Sequence, residues 1–378
     1  MPWGNKTVEE LRERFLVKVK QYGNISKACQ ESGITRRTGY KWLKRDANRE
    51  SLRDKSRRPK QMANKTDKKI ERLILKVREE NPAWGGKKIH DYLVKKGEKQ
   101  LPTSKTCCNI LKRNGCILRE ESLKHKAFER FSREECNELW QVDFKGDFLL
   151  LDGNRCYPLS IIDDCSRFAI MVNCKLDKRN VIDSFREAFY HYGKPNSVLS
   201  DNENQFSGFR GGYSQLEKWL MEHDVLPIHG RIMHPQTQGK VERFHRTMKY
   251  EFLKYNQFQN INDIKSKMGK WLIKYNKERP HLALNSKSPS EIYTSSKRKY
   301  SEKVLEYNYK GYTKKVDGKG YLRVMHWKIY LSETMAKTQV EISRNTSGDL
   351  FNIYFRNFKI AEIDAHNGKL INRKILRR

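Results

Sequence analysis

Three acidic residues in this sequence have the surroundings of fixed, working groups. Asp143 lies in Leu-Trp-Gln-Val-Asp-Phe, Asp201 follows Val-Leu-Ser, and Glu242 lies in Gly-Lys-Val-Glu-Arg-Phe-His-Arg. Each is preceded by apolar or small residues, so packing would hold it in place. Phosphodiester chemistry needs an activated nucleophile and a stabilised leaving oxyanion at neutral pH. Two hard cations a few ångströms apart do both, and carboxylates are their natural ligands. Arg246 and Lys249 come four and seven residues after Glu242, on the same face of a helix. Cations there could hold a scissile phosphate. A plain Glu242–Arg246 helical ion pair is the simpler alternative. The polar, amide-rich stretch Pro-Gln236-Thr-Gln238-Gly just before the helix favours a surface laid against DNA. His234 and His245 are further candidates for metal binding or proton transfer.

The elements that must position these acids follow from periodicity. Leu139–Leu151 alternates and is rich in β-formers, and Asp152-Gly153-Asn154 is a hairpin turn signal. Tyr157–Ile162 and Phe168–Cys174 read as two further strands. A helix at Val181–Tyr192, a short strand at Ser197–Ser200, a helix at Leu216–Met221, a strand at Val225–Ile228 and a helix from about Gln236 to Lys254 complete an α/β sheet domain. Asp143 then falls mid-strand, Asp201 at the end of the neighbouring strand, and Glu242 on a helix beside both. Among nearby acids, Asp152 belongs to a turn, Asp163 and Asp164 read as a polar strand end with a possible supporting role, and Asp224 reads as exposed.

Upstream, Val8, Leu11, Phe15, Leu16 and Val19 have helical spacing, Gly23-Asn24 breaks the helix, and a short helix runs from Ile25 to Glu31. Ser32-Gly33 turns the chain, and Thr35 caps a basic helix from Arg36 to Arg45. This is a helix-turn-helix pattern, whose last helix enters the major groove. Arg36, Arg37, Tyr40 and Lys41 are its candidate DNA contacts; a solvated basic face over a core Trp42 is the alternative. The run Lys-Ser-Arg57-Arg58-Pro-Lys reads as a linker able to track phosphates. Residues 66–115 repeat the three-helix pattern, with Lys87, Lys88 and Lys105 as candidate DNA contacts.

The organisation expected is 1–50 helix-turn-helix, 51–65 basic linker, 66–115 second helix-turn-helix, 116–138 connector, 139–294 α/β core, 295–319 basic linker and 320–378 a small all-β domain.

Charge supports this division. The net charge is +33 over 378 residues, with +19 in residues 1–130, +1 in 140–258 and +15 in 259–378. Two basic flanks around a neutral middle point to a polyanionic partner, since so large a charge otherwise repels itself. No apolar stretch is long enough to span a bilayer, and the first residues lack the apolar core of a secretory signal. Eight scattered cysteines with no Cys-x-x-Cys argue against a disulfide scaffold or structural zinc, hence for a reducing cytosolic setting.

Trp-Gln-Val-Asp143-Phe, Ser-Asp201-Asn and His-Pro-Gln-Thr-Gln-Gly-Lys-Val-Glu242-Arg-Phe-His-Arg resemble the three acidic motifs of retroviral-integrase-type DDE transposases, most closely the single-polypeptide insertion-sequence group. Ile-Thr-Arg-Arg-Thr-Gly-Tyr-Lys-Trp-Leu, Asn-Pro-Ala-Trp-Gly-Gly-Lys-Lys-Ile and Tyr275-Asn-Lys-Glu-Arg-Pro-His-Leu-Ala-Leu284 are similar to that group as well, so the resemblance covers nearly the whole chain.

The resemblance implies an RNase H-like core, tandem helix-turn-helix modules on the terminal repeats of an element, and an SH3-like β domain. It also implies two Mg2+ ions (Mn2+ may substitute), double-stranded DNA as element ends and target, and a dimer or larger assembly in a bacterial cytoplasm, at the nucleoid. Asp143 is expected to bridge both ions, with Asp201 and Glu242 each completing one side. Water would cut the element end, and the freed 3′-hydroxyl would attack target DNA. The alternatives are a domesticated, non-catalytic repressor and a plain RNase H-like nuclease. Two departures stand out. Glu203 occupies a position where many relatives have Gly, so either backbone strain or a fourth acid at the site is expected. Residues 207–213 read as extra loop.

Overall fold

The computed structural model describes residues 7–55, 66–117, 133–208, 212–230 and 239–378. The chain divides into two compact units, Met1–Lys65 and Thr66–Arg378.

The first unit has three helices: α1 (Val8–Tyr22), α2 (Ile25–Glu31) and α3 (Arg36–Ala47). Each start is capped as the local sequence dictates. Thr7 and Glu10 form a capping box, Asn24 accepts from the amides of Ser26 and Lys27, and Thr35 accepts from that of Thr38. Phe15, Leu16, Ala28, Cys29 and Trp42 form the core. Gly39 lets α3 sit close to the other two helices, for a Cβ there would lie 2.5 Å from Cys29 Sγ. Arg36, Arg37, Tyr40 and Lys41 face outward, while Trp42 is buried beneath the guanidinium of Arg12.

The second unit opens with α4 (Lys68–Glu80), α5 (Gly86–Lys95) and α6 (Ser104–Arg113), around Ile74, Val77, Trp84, Ile89 and Leu93. The central sheet follows: β1 (Leu139–Phe144), β2 (Phe148–Leu149), β3 (Arg155–Asp163), β4 (Ala169–Lys175), α7 (Val181–Tyr192), β5 (Ser197–Ser200), α8 (Gln215–Glu222), β6 (Leu226–His229), α9 (Gly239–Glu251) and α10 (Ile261–Lys277). β3 pairs antiparallel with β1, β2 and β4, whereas β1, β5 and β6 are parallel. The expected strand 139–151 is interrupted at Lys145-Gly146, where Gly146 takes φ +85°.

One sheet face packs Trp140, Val142 and Phe144 against Phe185 and Phe189 of α7. The other face carries α9 and α10 through Val241, Phe244, Met248 and Trp271. The core is therefore covered on both faces, as a parallel centre requires.

The C-terminal part is all-β: β7 (Tyr312–Lys315), β8 (Tyr321–Val324), β9 (Trp327–Tyr330), β10 (Gln339–Arg344), β11 (Leu350–Phe355), β12 (Phe358–Asp364), β13 (Leu370–Asn372) and β14 (Leu376–Arg377). It begins inside the stretch expected to be a linker. Residues 295–311 are themselves tied to the core, since Ser296 N donates to Tyr192 O and Lys194 N to Arg298 O. Tyr213, from the expected extra loop, is buried in the hydrophobic core of this β part and its hydroxyl donates to Ile360 O. Asp224 is not a free surface acid but takes both Arg298 and Arg377. All eight cysteines are free thiols. Among the described residues no helix is long and apolar enough to cross a membrane.

Candidate active site

Alternation along β1 sends Trp140, Val142 and Phe144 into one core and leaves Gln141 and Asp143 on the face that meets α9. The parallel register pairs Gln141 with Leu199. Continued by two residues, it sets Asp143 level with Asp201, just past the end of β5. Glu242 sits in the first turn of α9, exposed, between the buried Val241 and Phe244. Three distant segments thus bring their acids to one edge of the sheet.

Their charges act on one another. Burial pushes the Asp143 carboxyl up to about 7, and the charges of Asp201, Glu203 and Glu242 push in the same direction. Asp201 is also raised, chiefly by burial. Like charges held together in a half-buried site oppose each other's ionisation, and a bound cation reverses that balance. The donors are hard oxygens, which fits Mg2+ or Mn2+. Among the described residues no three Asp, Glu, His or Cys side chains already stand round one point, so these donors would have to close on an ion.

His245 stands 3.5 Å from Asp143 through Nδ1, and its Nε2 is 3.0 Å from the hydroxyl of Ser160, the cross-strand partner of Asp143. The contact is not an ion pair: burial, then the charge of Lys145, pushes His245 down to about 3, so the ring is neutral. Glu203 shows no positive φ, so the expected strain is absent. Its amide donates to Asp201 and its carboxylate pairs with Lys178 at 2.7 Å.

One support escaped the sequence reading, and a second was weighed there only through Asp164. His229 Nδ1 lies 3.2 Å from both the Ser200 hydroxyl and the Asp201 carbonyl oxygen, the latter only an acceptor, while its Nε2 meets the buried Glu217 at 3.0 Å. Burial pulls His229 down, but the contacts with Glu217 and Asp201 together outweigh it and the net shift is upward. The second support is Gln141 with Asp164 and Lys240. Asp164, first read as a polar strand end, is wholly buried and takes both. Gln141 carried a legible signal, standing two residues before Asp143 on the same strand face.

Arg246 and Lys249 are exposed on the Glu242 face of α9, and Lys87 and Lys105 are exposed on their helices. Lys88 is otherwise disposed. It is turned inward to Glu251, 3.3 Å away, and is not presented to an external polyanion. Arg57, Arg58, His234, Gln236 and Gln238 lie outside the described residues.

Integrase core domain models match residues 133–235 and 223–289. A helix-turn-helix domain model matches 11–60, and a homeodomain-like domain model matches 38–111. Together the two integrase core matches span residues 133–289 of the chain. A relative 27% identical over 158 residues is the insertion element IS407 uncharacterized 31.7 kDa protein of Burkholderia multivorans, where the match covers 41% of this chain and 55% of that protein. A putative integrase, ORF3 of Spiroplasma virus SpV1-C74, is 24% identical over 227 residues, 55% of this chain and 62% of its own length. The chain thus spans a little over half the length of each. Among solved structures, the HTLV-2 integrase catalytic core domain in complex with magnesium is 19% identical with a TM-score of 0.33, covering 41% of this chain and 95% of that one.

Proposed function

We propose that the chain is a DNA transposase that binds the terminal repeats of its element and joins their 3′ ends to target DNA. The observation that carries this reading is the convergence of Asp201, Glu203 and Glu242 charge on Asp143, from separate elements of an integrase-core sheet. Asp143, Asp201 and Glu242 would hold two Mg2+ ions. When bound, these would supply the positive charge that lowers the barrier to attack and leaving at a phosphodiester.

The chain's own residues do the rest. Arg246 and Lys249, exposed beside Glu242, bind the backbone phosphate. Ser160 fixes the ring of His245, which packs beside the Asp143 carboxyl. The outward face of α3, with Arg36, Arg37, Tyr40 and Lys41, reads the element end, while Lys87 and Lys105 extend the footprint as a second helix-turn-helix module. The β part is read as an SH3-like domain that adds to DNA or subunit contacts, and the working form as a dimer or larger.

The test is Mg2+-dependent strand transfer with end DNA. Asp143→Asn, Asp201→Asn and Glu242→Gln should each lose joining while keeping end binding. Full joining by any of the three would remove that residue from the metal set, and binding without cleavage in any metal by the unaltered chain would favour a repressor.

A further inference from the structure

The first amides of a helix have no partner within it and are usually satisfied by a side chain just upstream. In α9 the acceptor comes from another element: Val241 N donates to Gln141 Oε1 of β1 at 3.2 Å. Gln141 Nε2 donates in turn to Asp164 Oδ1 at 2.7 Å, and Asp164 Oδ2 accepts from Lys240 Nζ. Asp164 is itself fixed, its amide bonded to Leu139 O at 2.9 Å. The Asp164 side chain is fully buried and that of Lys240 is 12% exposed, and Asp164 Oδ2 also accepts from Arg133 N at 2.8 Å, so the contact is held in a site where an uncompensated charge is costly.

The arrangement links two chemically important positions by short paths. Gln141 precedes Asp143 by two residues on the same strand face, and Lys240 precedes Glu242 by two on the first turn of α9. We propose that Gln141, Asp164 and Lys240 form a latch that sets the first turn of α9, and with it Glu242, at a fixed place relative to Asp143. These are positioning residues. Their importance for metal binding rests on the reading of Asp143 and Glu242 as ligands, whereas their grip on the helix does not.

The experiment uses the full chain with Lys240→Met, Lys240→Arg and Gln141→Met. In metal-free protein, amide exchange over residues 240–245 should be about tenfold faster in Lys240→Met and Gln141→Met, while the rest of α9 is unchanged. Mn2+ affinity, read by electron paramagnetic resonance, should fall about tenfold, the lower end for losing support behind a metal ligand. Lys240→Arg should recover both. Exchange and Mn2+ affinity within twofold of the unaltered protein would overturn the latch. Should Lys240→Met fail to fold, Gln141→Met, which removes no charge, decides the matter. If the unaltered chain binds no Mn2+, the metal reading fails and the exchange measurement still judges the latch.

Discussion

Two acids near opposite ends of α9, Glu251 on the helix itself and Asp143 on β1, have opposite fates. At its C-terminal end Glu251 has a side chain only 10% exposed, and burial alone would raise it. It is instead held below the ordinary carboxylate range, because Arg279 donates to both its oxygens at 2.8 Å and Lys88 and Trp84 add further contacts at 3.3 Å. Near its N-terminal end, Asp143 is 18% exposed, comparably buried, yet is raised to about 7. Burial is similar; the neighbours differ. Glu251 is surrounded by matched cations and fastens α4–α6 to the sheet domain. Around Asp143 the charges of Asp201, Glu203 and Glu242 oppose its ionisation. A buried carboxylate with its partners supplied is structural, and one denied them is a candidate site.

The largest effect that would break this comparison lies at the unpaired end. Glu242→Gln should reduce strand transfer by at least about a thousandfold, or about 4 kcal/mol of barrier, with unfolding unchanged. A loss of stability in place of activity would make Glu242 structural like Glu251. At the paired end the expectation reverses. Glu251→Gln leaves Arg279 buried without its partner and should cost about 3–5 kcal/mol, read from the midpoint of urea unfolding.

Next comes a stabilisation. Asp143 has a folded-state pKa above its unfolded value, so the folded form favours the neutral acid. Its contribution to stability is fully present below about pH 4 and is lost as pH rises through about 7. Asp143→Asn should therefore stabilise the metal-free protein by about 1–2 kcal/mol at pH 8, with little change at pH 4. Thermal melts at the two pH values check it, and an unchanged or lowered melting temperature at pH 8 would remove the argument that Asp143 is held against its own charge. Added Mg2+ should raise the melting temperature of the unaltered protein and not of the variant.

The sequence disclosed whatever was local. The alternation of Trp140, Val142 and Phe144 located β1 and hence the face of Asp143. Thr35 and Gly33 located α3, and the short apolar runs located β5 and β6. Contacts made across long separations were hidden. Nothing near Lys240 signals Asp164, 76 residues earlier, and nothing near Glu251 signals Lys88, 163 residues earlier. The linker expected at 295–319 looked polar because its order comes from Tyr192, Lys194 and Asp224, none of them nearby in the chain. Composition reports charge, but only the fold tells which charges are spent inside.

Lys88 gives the smallest expected effect and the sharpest division. It sits beside the exposed Lys87 in a basic stretch, and the sequence assigned both to DNA. Burial, then the charge of Arg279, pushes Lys88 down to about 8, with Glu251 only partly restoring it. Both partners gain from their shared contact, yet for Lys88 burial and the charge of Arg279 outweigh it. The Arg279 geometry accounts for this, since two bonds of 2.8 Å already satisfy the carboxylate and Lys88 is the third charge. Its folded pKa lies below the unfolded value of about 10.4, so this group's contribution to stability is lost as pH falls from about 10 through 8. Lys88→Met should then change stability at pH 7 by no more than about 1 kcal/mol and flatten that dependence between pH 8 and 10. It should leave end-DNA affinity unaltered, whereas Lys87→Ala weakens binding and lowers its salt dependence by about one counterion. Equal loss of DNA affinity in both variants would return Lys88 to the DNA surface and leave Arg279 alone as the cation that makes Glu251 structural.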